Sequence, residues 1–413
     1  MKTLFVFTLL SLILLNRNGL SAQSEFQKVS GTVIDEISGD PLPFAAIGVK
    51  GSSRGTSSNQ NGKFIINIRK EDEVLIVSFL GYESKEVVLN GRTSLTIELE
   101  PYSVELDEIV ITPKDPTEYI RVAVRKFGVN YADQTYNGQS FYRNIIQEND
   151  HFLDFTEGIF KTYFTGRSDT SENQYQLELF RQVEELSELE FMSKNIKVSK
   201  KNSEPESDTT SAQNEIISGF NGPENIIDMD LTVELEEYLD STRFKKFRYE
   251  LLDPSYFEGR AVLAISFESK GKVDNVKENG IIYIDLSSDA IVAVETEGKA
   301  IIPFYVEPIL FAFGFGITNP VFTTKRQYQY VEGKWYPKHF ERYVDLTLTK
   351  KRMFKKNSKS RFQISQALVF TNILFQEARE IEVSKRFDAD EDFSKQVFND
   401  NNIKWDDVDV VAR

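Results

Sequence analysis

The chain has 413 residues, a formal net charge of −15, 40% hydrophobic and 27% charged residues, and no cysteine. At about 150 residues per domain this length suits two or three domains, and the composition is that of a globular protein. The missing thiols exclude disulfides, thiolate catalysis, Cys-ligated zinc and lipid attachment through an N-terminal Cys; the acidic balance opposes nucleic-acid binding, which needs a positive footprint.

Lys2 opens a positive start, Leu4 to Leu15 is an apolar run interrupted by Thr8 and Ser11, and Gly19-Leu20-Ser21-Ala22-Gln23 supplies small residues for cleavage. This pattern predicts a secretory signal peptide over residues 1–23. The run falls short of the ~20 apolar residues a membrane-spanning helix needs, so no transmembrane helix is expected after cleavage. Cleavage removes the cations Lys2 and Arg17 and no acid, taking the net charge from −15 to −17. The expected location is outside the cytoplasm, in the periplasm or associated with the outer membrane. Without disulfides, an exported chain depends on its cores for stability.

Residues 27–101 are short apolar runs punctuated by turn residues. Val29, Gly31 and Val33 lead into the polar turn Asp35 to Pro41. Phe44 to Val49 reads as a buried strand. Asn61-Gly62 precedes Lys63 to Ile68 and fits a tight hairpin with both central residues at positive φ. Val74 to Phe79, Val87 to Leu89 and Leu95 to Leu99 follow. Some seven short strands without helical periodicity predict a β-sandwich. The set Gly31-x-Val33-x-Asp35, Gly39-Asp40-Pro41-Leu42-Pro43, Gly55-Thr56, Asn61-Gly62-x-Phe64 and Ser78-Phe79-x-Gly81-Tyr82 resembles the carboxypeptidase-regulatory-like domain. That family is a transthyretin-like sandwich often found at the front of Gram-negative envelope proteins, and the resemblance implies no peptidase residues. Arg54 and Tyr82 are read as structural.

Residues 102–115 form a linker. Its segment Leu106 to Pro113 is similar to the peptide that follows this domain in TonB-dependent outer-membrane transporters. About 300 residues then remain, too few for the usual plug and 22-stranded barrel. The resemblance therefore points to envelope proteins that carry the domain without that barrel. Asp115-Pro116-Thr117-Glu118 next opens a helix: Asp115 caps, Pro116 suits the first helical position, and Glu118 completes a capping box. Ile120, Val124 and Phe127 form one apolar stripe.

Residues 116–413 are read as an α+β domain with a curved, mostly antiparallel sheet. Candidate strands lie at 140–149, 151–165, 174–183, 245–253, 259–269, 279–286, 289–297, 324–331, 334–349 and 361–376, joined by turns too short for parallel crossovers. Residues 200–214 read as a mobile loop, 223–240 as a short helical region and 388–413 as a solvated acidic tail. The Gly280-x-Ile282-Tyr283-Ile284-Asp285 hairpin resembles, diffusely, periplasmic lipoprotein carriers.

Residues 300–322 carry one charge, Glu307. Pro303, Pro308 and Pro320 oppose a spanning helix. The stretch is read as an apolar loop over one mouth of the sheet, with Phe311, Phe313 and Phe315 as a candidate contact edge for lipid or a partner.

Neither a nucleophile elbow, a His-Glu-x-x-His pattern nor a phosphate-binding loop occurs in the sequence. His339 reads as a structural strand residue. His151 with Asp150 and Asp154 lacks diagnostic metal spacing. Asp388-x-Asp390-x-Asp392 begins like a calcium loop, but Phe393 stands where Gly is needed. No catalytic, cofactor or metal residue is assigned. The expected function is a non-catalytic envelope protein that binds a partner protein, lipid or glycan. The alternatives are an apolar-ligand carrier and a carboxylate-dependent hydrolase. An acidic pair enclosed in a cleft would favour the enzyme, and a dry apolar groove the carrier.

Overall fold

The computed structural model describes residues 26–52, 54–59, 61–102, 115–166, 173–183, 186–187, 190–191, 222–301, 315–350, 357–374, 378–400 and 403–405. The signal peptide, the segment Leu106 to Pro113, the loop 200–214, Phe311 and Phe313 lie outside them.

The protein is mainly β. Seven strands build the N-terminal part: β1 (Phe26–Asp35), β2 (Ala46–Val49), β3 (Gly55–Ser57), β4 (Lys63–Arg69), β5 (Val74–Ser78), β6 (Lys85–Val88) and β7 (Ser94–Leu99). They form two sheets, ordered β4-β1-β7 and β3-β2-β5-β6, with β1 antiparallel to β4 and parallel to β7. Alternate residues of both sheets, among them Val29, Val33, Phe64, Ile66, Leu75 and Val77, share one buried core. Period-two alternation, with one face of each sheet apolar, makes this a sandwich.

The motif residues have physical reasons. A Cβ on Gly31 would sit 2.5 Å from the Leu95 carbonyl oxygen, so only glycine lets β1 and β7 approach here. Asp35 Oδ1 accepts the backbone N–H groups of Ile37 and Ser38 at 2.7 Å each, and Tyr82 donates its hydroxyl to Asp35 Oδ2 at 2.5 Å. Arg54 pairs with Asp72 at 2.6 Å. Asn61-Gly62 differs from the hairpin expected: only Gly62 has positive φ (+71°), and the flanking β3 and β4 belong to different sheets. Asn59 Oδ1 organises that turn by accepting from the N–H groups of Asn61 and Lys63, both at 2.9 Å.

Helix α1 (Pro116–Arg125) starts where expected, with Asp115 Oδ1 accepting the Thr117 N–H at 2.9 Å. Glu118 pairs with Arg121 at 3.4 Å. Ile120, Ala123 and the following Phe127 are buried against the large sheet.

That sheet has eleven strands: β8 (Tyr136–Glu148), β9 (His151–Phe164), β10 (Gln174–Gln182), β11 (Phe247–Leu251), β12 (Ser255–Phe257), β13 (Arg260–Ser269), β14 (Val276–Asp285), β15 (Ile291–Ala300), β16 (Phe315–Val331), β17 (Lys334–Lys350) and β18 (Ser358–Leu374). It is open and antiparallel, in the order β10-β9-β8-β18-β17-β16-β15-β14-β13-β11, with β12 beside β13. One face carries Tyr142, Ile282, Val294, Tyr328, Phe340 and Leu368, which pack on α1 and on residues 226–247.

Several expectations need correction. Of the predicted helical region 223–240, only Glu224–Ile227 is α-helical, and turns follow it. Residues 315–322 do not form a loop: they open strand β16 and pair with β17. The acidic side chains of 388–400 are exposed, but the segment is anchored to the fold. Phe387 and Phe393 meet edge to face in the core with ring centroids 4.6 Å apart, and the Phe398 N–H donates to Leu177 O at 2.8 Å along the edge of β10. Phe393, which breaks the calcium pattern, is thus a core residue.

Candidate functional site

On its other face the large sheet carries a charged row beside an apolar one, in which Leu179, Ile159, Phe141 and Val369 lead to His339. Arg181, Glu157, Arg143, Ala367, Glu341, Lys325, Glu295 and Ile281 face one another across eight neighbouring strands, β10 to β14 in sheet order. Their charges alternate in sign, as cross-strand pairs favour. Glu157 is fully buried and held by Arg143 at 2.6 Å and Arg181 at 2.5 Å. Lys325 Nζ pairs with Glu295 at 2.9 Å. Glu341, next to Lys325 in register, has no hydrogen-bond or ion-pair partner among the described residues. Burial pushes its carboxyl up to about 7, against the opposing pull of Lys325 and Arg143.

The adjacent row places His339 opposite Gln327. His339 is 1% exposed and Gln327 2%. Among the described residues, both imidazole nitrogens and the Gln327 side-chain oxygen lack partners. Burial, with Lys325 and Lys338 nearby, holds the His339 pKa down to about 3, so the ring is neutral. Buried polar groups are ordinarily hydrogen-bonded, and three orphans on two facing residues need explanation.

The N-terminal sandwich covers this face. The Phe44 ring lies 5.4 Å from the imidazole of His339, and Lys325 Nζ sits 5.5 Å from the Phe44 and 5.4 Å from the Phe79 ring centroid. Phe44 reaches there with φ +63°, a left-handed conformation costly for a bulky residue. Ser58 fixes the segment: its Oγ accepts the Ala45 N–H at 2.8 Å and donates to Leu42 O at 2.7 Å. The two parts also meet where Tyr102 stacks on Tyr256 at 4.2 Å and the Gly81 N–H donates to Tyr256 O at 3.2 Å.

Between the sandwich and the sheet lies a cavity of about 960 Å³. Phe44, Asn59 and Asn61 line it from the sandwich. Its sheet wall carries the charged row from Arg143 to Ile281 and the next one, with Ser365, Tyr343, Thr323, Glu297 and Asn279. Phe152, Phe155 and Gln147 line the β8–β9 end.

The residues singled out from sequence fall elsewhere, apart from His339. Phe315 is the first residue of β16, while Phe311 and Phe313 lie outside the described residues. His151 is exposed at the start of β9. Asp154 is buried and bonded to Thr156 at 2.7 Å and Asn144 at 2.7 Å. His339 is a buried strand residue, as expected, but its ring is unbonded among the described residues. Glu341, Lys325 and Glu295 meet only through strand register, which the sequence alone does not determine. Alternation in Lys338 to Arg342 was the available signal, but it does not tell which face is covered.

The CarboxypepD_reg-like domain family matches residues 29–111. Three TonB-dependent receptors of Formosa agariphila are similar: P26 is 41% identical over 85 residues, P39 34% over 94 and P3 32% over 110. These matches cover 21%, 23% and 27% of this chain, and the chain spans only 8%, 9% and 10% of the receptors' length. Among solved structures, a putative outer membrane lipoprotein-sorting protein domain from Vibrio parahaemolyticus aligns at 11% identity and a TM-score of 0.21, covering 64% of this chain and 95% of that one. A putative membrane-associated protein from Bacteroides fragilis aligns at 11% identity and a TM-score of 0.16, covering 84% and 98%. At such scores these two likenesses support no inference. Residues 29–111 are a CarboxypepD_reg-like domain, shared with TonB-dependent receptors and joined in this chain to an eleven-stranded open sheet.

Proposed function

We propose that this protein is an exported cell-envelope binding module, and that its ligand site is the cleft between the regulatory-like domain and the charged row of the large sheet. The observation that carries the reading is His339: a neutral ring, 1% exposed, with both nitrogens unpartnered among the described residues, on the wall of a cavity of about 960 Å³. A ligand group that donates and accepts there offsets a desolvation cost the fold leaves standing. The cleft is not a dry apolar groove. An acyl chain would desolvate Lys325 and Glu295 without replacing their water, so the lining supports a polar ligand. The test is native purification from envelope fractions of the wild type and of His339→Phe, followed by mass spectrometry of co-purifying molecules. A small molecule retained by the wild type and lost from the folded variant supports the site. The same molecules in both, or none in either, rejects it.

A second reading has one specific support. Glu341, raised to about 7, lies two strands from the salt-bridged Glu295, an arrangement in which a protonated carboxyl acts as general acid. Hydrolysis of chromogenic glycosides that disappears in Glu341→Gln would establish it over simple binding.

A further inference from the structure

We propose that the cleft takes a neutral oligosaccharide, an inference that rests on the binding reading above. Three features of the lining converge on that class.

The first is charge. The cationic groups in the cleft are already matched, Lys325 by Glu295 at 2.9 Å and Arg143 by Glu157 at 2.6 Å. Among the described lining residues no cation is left to receive a phosphate or a uronate, and Glu341 and Glu297 on the same wall oppose anions. A cationic ligand meets Lys325 in the middle of that wall.

The second is hydrogen-bonding character. A neutral imidazole on the cleft wall offers one donor and one acceptor. Carboxamides of Asn61, Gln147 and Gln363 and hydroxyls of Thr323 and Ser365 add further groups of both kinds. A sugar hydroxyl, itself donor and acceptor, answers such a mixed wall. An ester or an alkyl chain does not, and would leave His339 unpaired.

The third is the apolar component. Phe152 and Phe155, with ring centroids 5.4 Å apart, stand at the β8–β9 end of the cleft, and Phe44 lies over Lys325 and His339. They provide faces for the C–H surfaces of pyranose rings, while the space between accepts hydroxyl edges. The volume is at the upper end of the range for small-molecule sites and accommodates more than one ring.

The experiment uses the full mature chain in isothermal titration calorimetry. Its probes are maltohexaose, cellohexaose, laminarihexaose, hexa-galacturonate and oleate, each at millimolar concentration. The expected result is saturable binding of at least one neutral hexasaccharide. His339→Phe, which removes the orphaned nitrogens and keeps a ring beside Phe44, should weaken it about tenfold or more without lowering the melting temperature. A second variant, Phe152→Ala with Phe155→Ala, should weaken it by a similar factor. Hexa-galacturonate or oleate binding more tightly than every neutral sugar, with the same sensitivity to His339→Phe, overturns the sugar class while leaving the cleft as a binding site. Neutral-sugar binding unaffected by both variants places the sugar elsewhere and overturns the proposal. Absence of binding by all five probes also overturns it; whether the cleft binds anything is then judged by the co-purification comparison alone.

Discussion

A buried, neutral histidine makes stability depend on pH in a direction that can be worked out. The His339 pKa is about 3 in the folded protein against an ordinary 6.5. Below pH 6.5 the unfolded chain takes up a proton that the folded ring refuses, so the folded state binds fewer protons. The stabilising contribution is therefore complete above pH 6.5 and is lost progressively as pH falls towards 3. Each pH unit in that window costs about 1.4 kcal/mol, so going from pH 7.5 to 5.0 costs about 2 kcal/mol at this one site. Replacing His339 with Phe removes the titration and the orphaned nitrogens together. The variant should be at least as stable as the wild type at pH 7.5, and its advantage should widen by about 2 kcal/mol at pH 5.0. Both tryptophans, Trp335 and Trp405, lie in the large-sheet part, so urea unfolding followed by tryptophan fluorescence reads the relevant unit. Other titrating groups are common to both proteins and cancel in the difference. Parallel pH dependences for variant and wild type would refute the reasoning, since they would mean that His339 is solvated or partnered.

Glu341 works in the opposite sense: with its pKa raised from 4.5 to about 7, its contribution is full below pH 4.5 and lost as pH rises through 7. Glu341→Gln should flatten that loss, by at most about 3 kcal/mol and by less where cavity water reaches the carboxyl, measured by the same unfolding curves. Arg143→Ala leaves the fully buried Glu157 with one cation instead of two and should destabilise by about 3 kcal/mol, seen as an earlier urea midpoint; pairing it with Glu157→Gln should restore part of the loss. The sandwich has its own closed core, so residues 27–101 expressed alone should give a dispersed β-type amide spectrum, and a collapsed spectrum would count against an autonomous domain. For the apolar stretch, changing Phe311, Phe313 and Phe315 to Ser should preserve the fold while reducing retention of an apolar partner; unfolding instead would assign the three to the core.

How much was legible in the sequence follows from the range of the forces involved. The strands of the sandwich, the Asp115 cap of α1 and the hairpin at Ser287-Ser288-Asp289 rest on local rules: alternation, turn chemistry and capping operate within a few residues. Asp289 at φ +59° and the Ser288 N–H donated to Asp285 at 2.8 Å are such local devices. Strand β12, three residues long, was missed because so short an element carries no periodicity of its own and forms only by adding to β13. The tail is anchored for a related reason. Its acidic residues dominate the composition, yet two phenylalanines that find an unfilled core decide where the backbone goes.

The cleft was beyond reach altogether. Period-two patterning by itself determined that β8 and β14 to β18 are strands with two distinct faces. It could not determine which residue of β17 stands beside Lys325 or Arg143, because register is set by the turns, the bulges and the packing of the opposite face. A shift of one residue would exchange Glu341 for Phe340 or Arg342 in the charged row. Nor could it determine that the sandwich folds back over that row and lays Phe44 against His339. Those contacts join residues nearly 300 positions apart, and they exist only once both units have formed their cores and met.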